Sequence, residues 1–125
     1  MLSGTGIWSI SNIRAKQSLA ISTENFMTVV KRARIYARES KDSAAWGVRR
    51  IDNSFYALVY GDPVDADIKE QYRVFDPVKI ETTDFDIWFD QGTGNTESEQ
   101  SVELSLPGGS GSQVIVSKTG VVSVR

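Results

Sequence analysis

The apolar positions at the start of the chain recur with the period of a helix. Trp8, Ala15, Leu19, Phe26, Val30, Ala33 and Ala37 are separated by 7, 4, 7, 4, 3 and 4 residues. At about 100° per residue they fall on one narrow stripe. No proline or glycine interrupts the chain from Ile7 to Trp46, whereas every later segment is punctuated by them. The pattern predicts a helix over about 5–41. A straight helix carrying the whole stripe spans ~45 Å, more than the ~35 Å diameter expected of a compact fold of this size. The stripe is strong around Phe26, Val29, Val30, Ala33 and Ala37 and weak near Gln17, Ser18, Ser22 and Thr23. The expectation is a helix that packs through its C-terminal half and protrudes through its N-terminal half. A break near Ser22-Thr23 is the alternative, because both residues favour helix starts.

Beyond the helix the period becomes two, in a β-rich part over about 45–125. Phe55, Ala57 and Val59 alternate with Tyr56, Leu58 and Tyr60, a strand apolar on both faces. Tyr72 to Phe75 and Val78 to Ile80 are short strand candidates either side of Pro77. Phe85, Ile87 and Phe89 alternate with acidic residues and Trp88, and Val102, Leu104 and Leu106 alternate with Ser101, Glu103 and Ser105. These read as half-buried antiparallel strands. Val114 to Val116 and Val121 to Val124 flank Lys118-Thr119-Gly120, a hairpin with glycine where a positive φ is needed. "GDPVDAD", "DQGTGNTESEQ" and "LPGGSGSQ" read as turns and loops. The expected class is α+β: one long N-terminal helix packed on antiparallel sheet, in one domain over 1–125.

Composition narrows the chemistry. The chain has 125 residues, a net charge of −2, and neither cysteine nor histidine. That removes thiolate nucleophiles, the usual general base near neutral pH and the commonest metal ligands. No apolar run in this stretch approaches the ~20 residues of a membrane span. The expectation is a protein that is not an enzyme and takes no cofactor, metal or small-molecule substrate.

The remaining candidate sites have plain readings. "GGSGS" at Gly108 to Ser112 lacks the Gly-Lys-Ser/Thr end of a phosphate loop and reads as a hairpin loop. Asp62, Asp65 and Asp67 could offer oxygens to a hard cation, but their spacing does not match a calcium loop and reads as a solvated turn. Asp84, Asp86 and Asp90 share one strand parity with Trp88, the arrangement of a solvent face as well as of a carboxylate pair. Lys31, Arg34, Arg38 and Lys41 form a basic strip, which suits the negative end of a helix dipole. With Arg49, Arg50, Lys118 and Arg125 that strip is also the candidate nucleic-acid surface. The acidic net charge disfavours that reading.

The order of the pieces resembles the type IV pilin-like proteins, and among them the GspH/FimT-type minor pseudopilins. The helix carries Ala-Arg pairs at Ala33-Arg34 and Ala37-Arg38, followed by Gly47-Val48 where the first strand opens. "FDIWFDQGTG" is similar to the family's strand ending in Phe and then Gly, here Phe89 and Gly92, and Thr119-Gly120 to its closing hairpin turn. The likeness runs from about Glu24 to Arg125.

The resemblance implies a structural subunit of a type II secretion pseudopilus or type IV pilus, acting in filament initiation or tip assembly. It implies a membrane-anchoring apolar segment ahead of this stretch, with Met1 to Gly4, or part of them, foreign to the native protein. The expected location is then the inner membrane, with the sheet-bearing part outside the cytoplasm. Partners would be other pilin subunits and the assembly machinery, met through Trp8, Ala15 and Leu19. Trp46 and Trp88 are anchors for partners only if exposed, and buried positions are expected. The alternative is a pilus-tip subunit that captures DNA through Arg49, Arg50, Lys118 and Arg125.

Overall fold

The computed structural model describes the backbone of residues 2–125 and the side chains of residues 13–125. Helix α1 runs over Leu2–Arg38, 37 residues and therefore roughly 55 Å. Its buried stripe is the one the spacing predicts: Leu19, Phe26, Val29, Val30, Ala33 and Ala37 are buried, with Ala15 packed beside them. The side chain of Trp8 lies outside the described residues.

The helix does not break at Ser22-Thr23. Both residues are buried, and their hydroxyls serve the continuous helix and its packing rather than a helix start. Thr23 Oγ1 donates to the carbonyl of Leu19 one turn back, at 2.7 Å. Ser22 Oγ accepts from the backbone N–H of Phe75, at 2.9 Å, and so joins the helix to the segment after the third strand.

The C-terminus comes at residue 38 rather than 41. Ser40, Asp42 and Ser43 adopt positive φ of 54°, 57° and 50°, which no α-helix accommodates. The carbonyl of Ala37, left without an intrahelical partner, accepts from the N–H of Ser40 at 3.0 Å and of Gly92 at 2.8 Å.

Eight strands follow among the described residues: β1 (Ala45–Arg50), β2 (Phe55–Asp62), β3 (Asp65–Arg73), β4 (Lys79–Ile80), β5 (Asp86–Phe89), β6 (Gln100–Ser105), β7 (Gly111–Val116) and β8 (Val122–Val124). They make two antiparallel sheets, ordered β3-β2-β1-β5 and β4-β6-β7-β8. "GDPVDAD" turns only at Pro63-Val64, and the residues on either side belong to strands. It is the tip of the β2–β3 hairpin, in which Asp62 pairs with Asp65 across Pro63-Val64. Strand β3 also begins well before the expected Tyr72 and ends at Arg73, leaving Phe75 outside it and half exposed. Its residues are exposed on both faces except at Ala66 and Tyr72, so it carries no apolar alternation to detect.

The helix lies across both sheets. Phe26 meets Tyr56 and Phe85 edge-on, with ring centroids 5.0 and 5.6 Å apart. Near the helix end Trp46 sits between Tyr36 at 4.9 Å and Tyr60 at 4.8 Å, and its indole N–H donates to the carbonyl of Lys41 at 2.8 Å. Removing such rings from water stabilises the fold by about 1.5–3 kcal/mol each. No helix among the described residues is long and apolar enough to cross a membrane.

Candidate subunit-contact surfaces

Helix α1 has a second apolar stripe. Ile13, Ile21 and Ile35 are 52%, 47% and 50% exposed. At about 100° per residue they fall within one 80° arc, centred opposite the buried stripe. Gln17, Glu24, Thr28 and Lys31 complete that face, and all are exposed. β-branched apolar side chains on the solvent side of a helix add nothing to this chain's own core. They suit a surface that another helix covers.

The candidates read from the sequence separate along this helix. Leu19 is only 8% exposed and belongs to the chain's own core, with Ala15 half-buried against it, so little of either is open to a neighbour. The outward isoleucines, missed from the sequence, had a legible signal in their own spacing.

At the C-terminal end of α1 two loops close onto the helix. Gly94, at φ 72°, packs on the stems of Arg34 and Arg38, and Gly120, at φ 87°, packs on Arg34 and the Gly94 carbonyl. Thr96 ties the loops together: its N–H donates to the Lys118 carbonyl at 2.9 Å and its hydroxyl to that of Ser117 at 3.0 Å. Ile35 is left between two shallow hollows. One, of about 440 Å³, is lined by Ile35, Arg38, Glu39 and Gly92, and the other, of about 260 Å³, by Lys31, Arg34, Ile35 and Gly120 to Val122. The Nε of Arg34 is buried here without a hydrogen-bond partner among the described residues.

The basic candidates are not brought to one surface. Arg49 and Arg50, adjacent on β1, point to opposite faces of it. Arg49 is held by Asp86 on β5 through two parallel hydrogen bonds of 3.1 Å, and it also donates to the Pro63 carbonyl at 2.6 Å. Lys118 and Arg125 are exposed at the β7–β8 turn and beyond β8, in the other sheet.

Asp86 also accepts from the indole N–H of Trp88 at 2.7 Å, so this carboxylate is engaged by a cation and an N–H rather than free for acid–base work. Trp46 is fully buried as expected, whereas Trp88 is half-exposed on the outer face with the Arg49 guanidinium 5.8 Å from its ring. Among the described residues no group of three or more acidic side chains converges to hold a metal ion.

Beside the helix, Tyr72 of β3 accepts from Arg32 at 3.0 Å and donates to the Glu70 carboxylate. Burial first, and then Glu70, push its phenol up to about 12. Tyr56, stacked on it at 5.5 Å, is pushed up mainly by burial.

No family model matches the chain, and no curated protein matches it. Among solved structures it is similar to the crystal structure of the type IV minor pilin FimU from Pseudomonas aeruginosa (strain PAO1), with a TM-score of 0.70. The two are 13% identical, and the likeness covers 88% of this chain and 90% of that one. At that identity it establishes the fold: the chain has the type IV pilin-like α+β architecture, a long N-terminal helix on antiparallel sheets.

Proposed function

We propose that the chain is a structural subunit of a type IV pilin-like filament, a minor pilin or pseudopilin that works through subunit contacts and catalyses nothing. The observation that carries this is the outward stripe of Ile13, Ile21 and Ile35, on a helix whose opposite face is already buried in the chain's own core. The pilin-like fold gives the stripe its context, since a long helix presented by a sheet-bearing body is what bundles into a fibre. On this reading, the GspH/FimT-type likeness of Ala33-Arg34, Gly47-Val48 and Thr119-Gly120 marks a subunit of the initiating or tip complex of a pilus or secretion pseudopilus. An apolar segment ahead of α1 would hold it in the inner membrane before assembly.

The geometry gives less support to DNA capture, because Arg49 is paired and Arg50 faces the other way.

Two measurements test the proposal. The native protein is recovered from a membrane fraction of its source cells, and its N-terminal sequence and intact mass are read. An extension of about 25 apolar residues is expected, one membrane span. The chain contains no cysteine, so Ile21→Cys gives a unique attachment point for a crosslinker. Crosslinks to other pilin subunits are expected. A native chain without an apolar segment, or an Ile21→Cys protein that captures no pilin subunit in intact cells, would overturn it.

A further inference from the structure

The face of β5 turned away from α1 borders a hollow of about 330 Å³, lined among others by Pro63, Trp88, Asp90, Glu97 and Gln100. Ile87 and Phe89 point into the core and are fully buried, whereas Trp88 lies between them on the outer face, partly exposed.

The indole is held from two sides. Beneath it, β1 has Gly47 opposite Trp88, and a Cβ on that glycine would lie 3.0 Å from Trp88 Cδ2. At its edge, the indole N–H donates to Asp86 at 2.7 Å, and Arg49 holds that carboxylate in turn. A ring fixed in this way needs no ordering when a ligand stacks on it, which lowers the cost of binding.

The polar groups around the ring are of both kinds. Asp90 and Glu97 are exposed carboxylates with no ion pair among the described residues, and both accept hydrogen bonds. Gln100 brings an amide that donates and accepts, with one N–H on Ser98 Oγ at 3.3 Å. The Arg49 guanidinium stands 5.8 Å from the ring centroid.

We infer that this hollow binds a pyranose sugar, neutral or N-acetylated, with its apolar C–H face on the Trp88 indole and its hydroxyls on Asp90, Glu97 and Gln100. A flat apolar face rimmed by hydroxyls is the complement of one aromatic plate bordered by acceptors and an amide. Hydroxyls donate strongly to ionised carboxylates and accept from the amide. An organic cation would meet the same carboxylates, but it would share the indole with Arg49, which already sets a cation beside that ring. An acidic sugar would be repelled by Asp90 and Glu97. The inference concerns the sheet face away from α1 and does not rest on the helix-packing proposal.

The test titrates the isotope-labelled 125-residue chain with maltohexaose, cellohexaose and N-acetylchitohexaose. The Trp88 indole N–H signal is identified by its absence from the spectrum of Trp88→Phe. At least one sugar should move it saturably, with a Kd on the order of 1 mM, while the Trp46 signal stays in place. In variants, affinity is read from the sugar's own saturation-transfer signal, and circular dichroism verifies folding. Trp88→Ala, and separately Asp90→Ala with Glu97→Ala, should each weaken binding at least ~10-fold. Asp90→Asn with Glu97→Gln keeps the oxygen acceptors without the charge and should lose no more than ~5-fold. Tetramethylammonium and trigalacturonate, the cationic and acidic probes, should bind more weakly than the sugar. No saturable shift with any of the three sugars, wild-type affinity in Trp88→Ala, a loss in the amide pair as large as in the alanine pair, or tighter binding of either charged probe would each overturn the inference. Ile21→Ser should bind sugar as the wild type does, so a failure here is distinct from a failure of the helix-packing proposal.

Discussion

Gly120 is pressed against Arg34: a Cβ on this glycine would lie 2.6 Å from Arg34 Nε and 2.4 Å from the Gly94 carbonyl oxygen. The contact fixes the β7–β8 turn to the helix, and through Gly94 it fixes the β5–β6 loop as well. Two requirements coincide there, a positive φ and the absence of a side chain.

Gly120→Ala should therefore cost about 2–4 kcal/mol, the sum of a left-handed backbone and an overlap that backbone atoms cannot relieve. Gly109→Ala is the comparison. Its φ is 103°, but nothing lies within 4 Å of the added methyl, so about 1 kcal/mol is expected from conformation alone. Urea midpoints of the two variants check the difference. Equal losses would mean that the packing on Arg34 contributes nothing.

A different constraint operates at Gly47 on the central strand β1. Its φ lies outside the left-handed region, but a Cβ would sit 2.2 Å from the carbonyl oxygen of Ile87 and 3.0 Å from Trp88 Cδ2. Gly47→Ala should force β5 away from β1 and cost about 2–3 kcal/mol. It should also disturb the Arg49–Asp86–Trp88 group on the same face, which Trp88 fluorescence reports.

Alkaline pH should unfold this chain through its tyrosines. The phenol of Tyr72 is raised to about 12 from an ordinary value near 10, and that of Tyr56 is raised as well. A raised tyrosine pKa favours the neutral form in the folded state. Its stabilising contribution is complete below about pH 10 and is lost as the pH climbs through 12. Denaturation midpoints should thus fall between about pH 10 and 12, and less steeply in Tyr72→Phe. Arg32 opposes the shift, so Arg32→Met should raise the Tyr72 pKa further, as tyrosinate absorbance would show.

What the sequence made legible follows from how far each constraint reaches along the chain. The buried stripe of α1 and the alternation of β2, β5 and β6 are local, and each was readable from spacing. Ser22 and Thr23 misled because hydroxyls near a helix serve starts and packing alike, and only the position of Phe75, 53 residues away, decides between them. Strand β3 escaped because an edge strand exposed on both faces has no reason to alternate. The pairing of Arg49 with Asp86 joins residues 37 apart, and nothing near Arg49 in the sequence reveals that partner. The roles of Gly94 and Gly120 are likewise set by arginines on a distant helix rather than by their own turns.

The two stripes of α1 should respond oppositely to substitution. Leu19→Ala removes a side chain that is 8% exposed and packed in the core, and should cost about 2–4 kcal/mol. Ile21→Ser, two residues on, changes a side chain that is 47% exposed and makes no core contact, so stability should move by no more than about 0.5 kcal/mol. Thermal melts of the two variants, measured together, test the assignment of faces directly. If Ile21→Ser melts as early as Leu19→Ala, the outward face is part of the fold and has no apolar surface to offer a neighbour. If it melts with the wild type, then Ile13, Ile21 and Ile35 are apolar side chains that this chain keeps exposed without gaining stability from them. A partner helix is then the remaining physical use for them, and reduced filament formation in Ile21→Ser cells would be a loss of assembly rather than of folding.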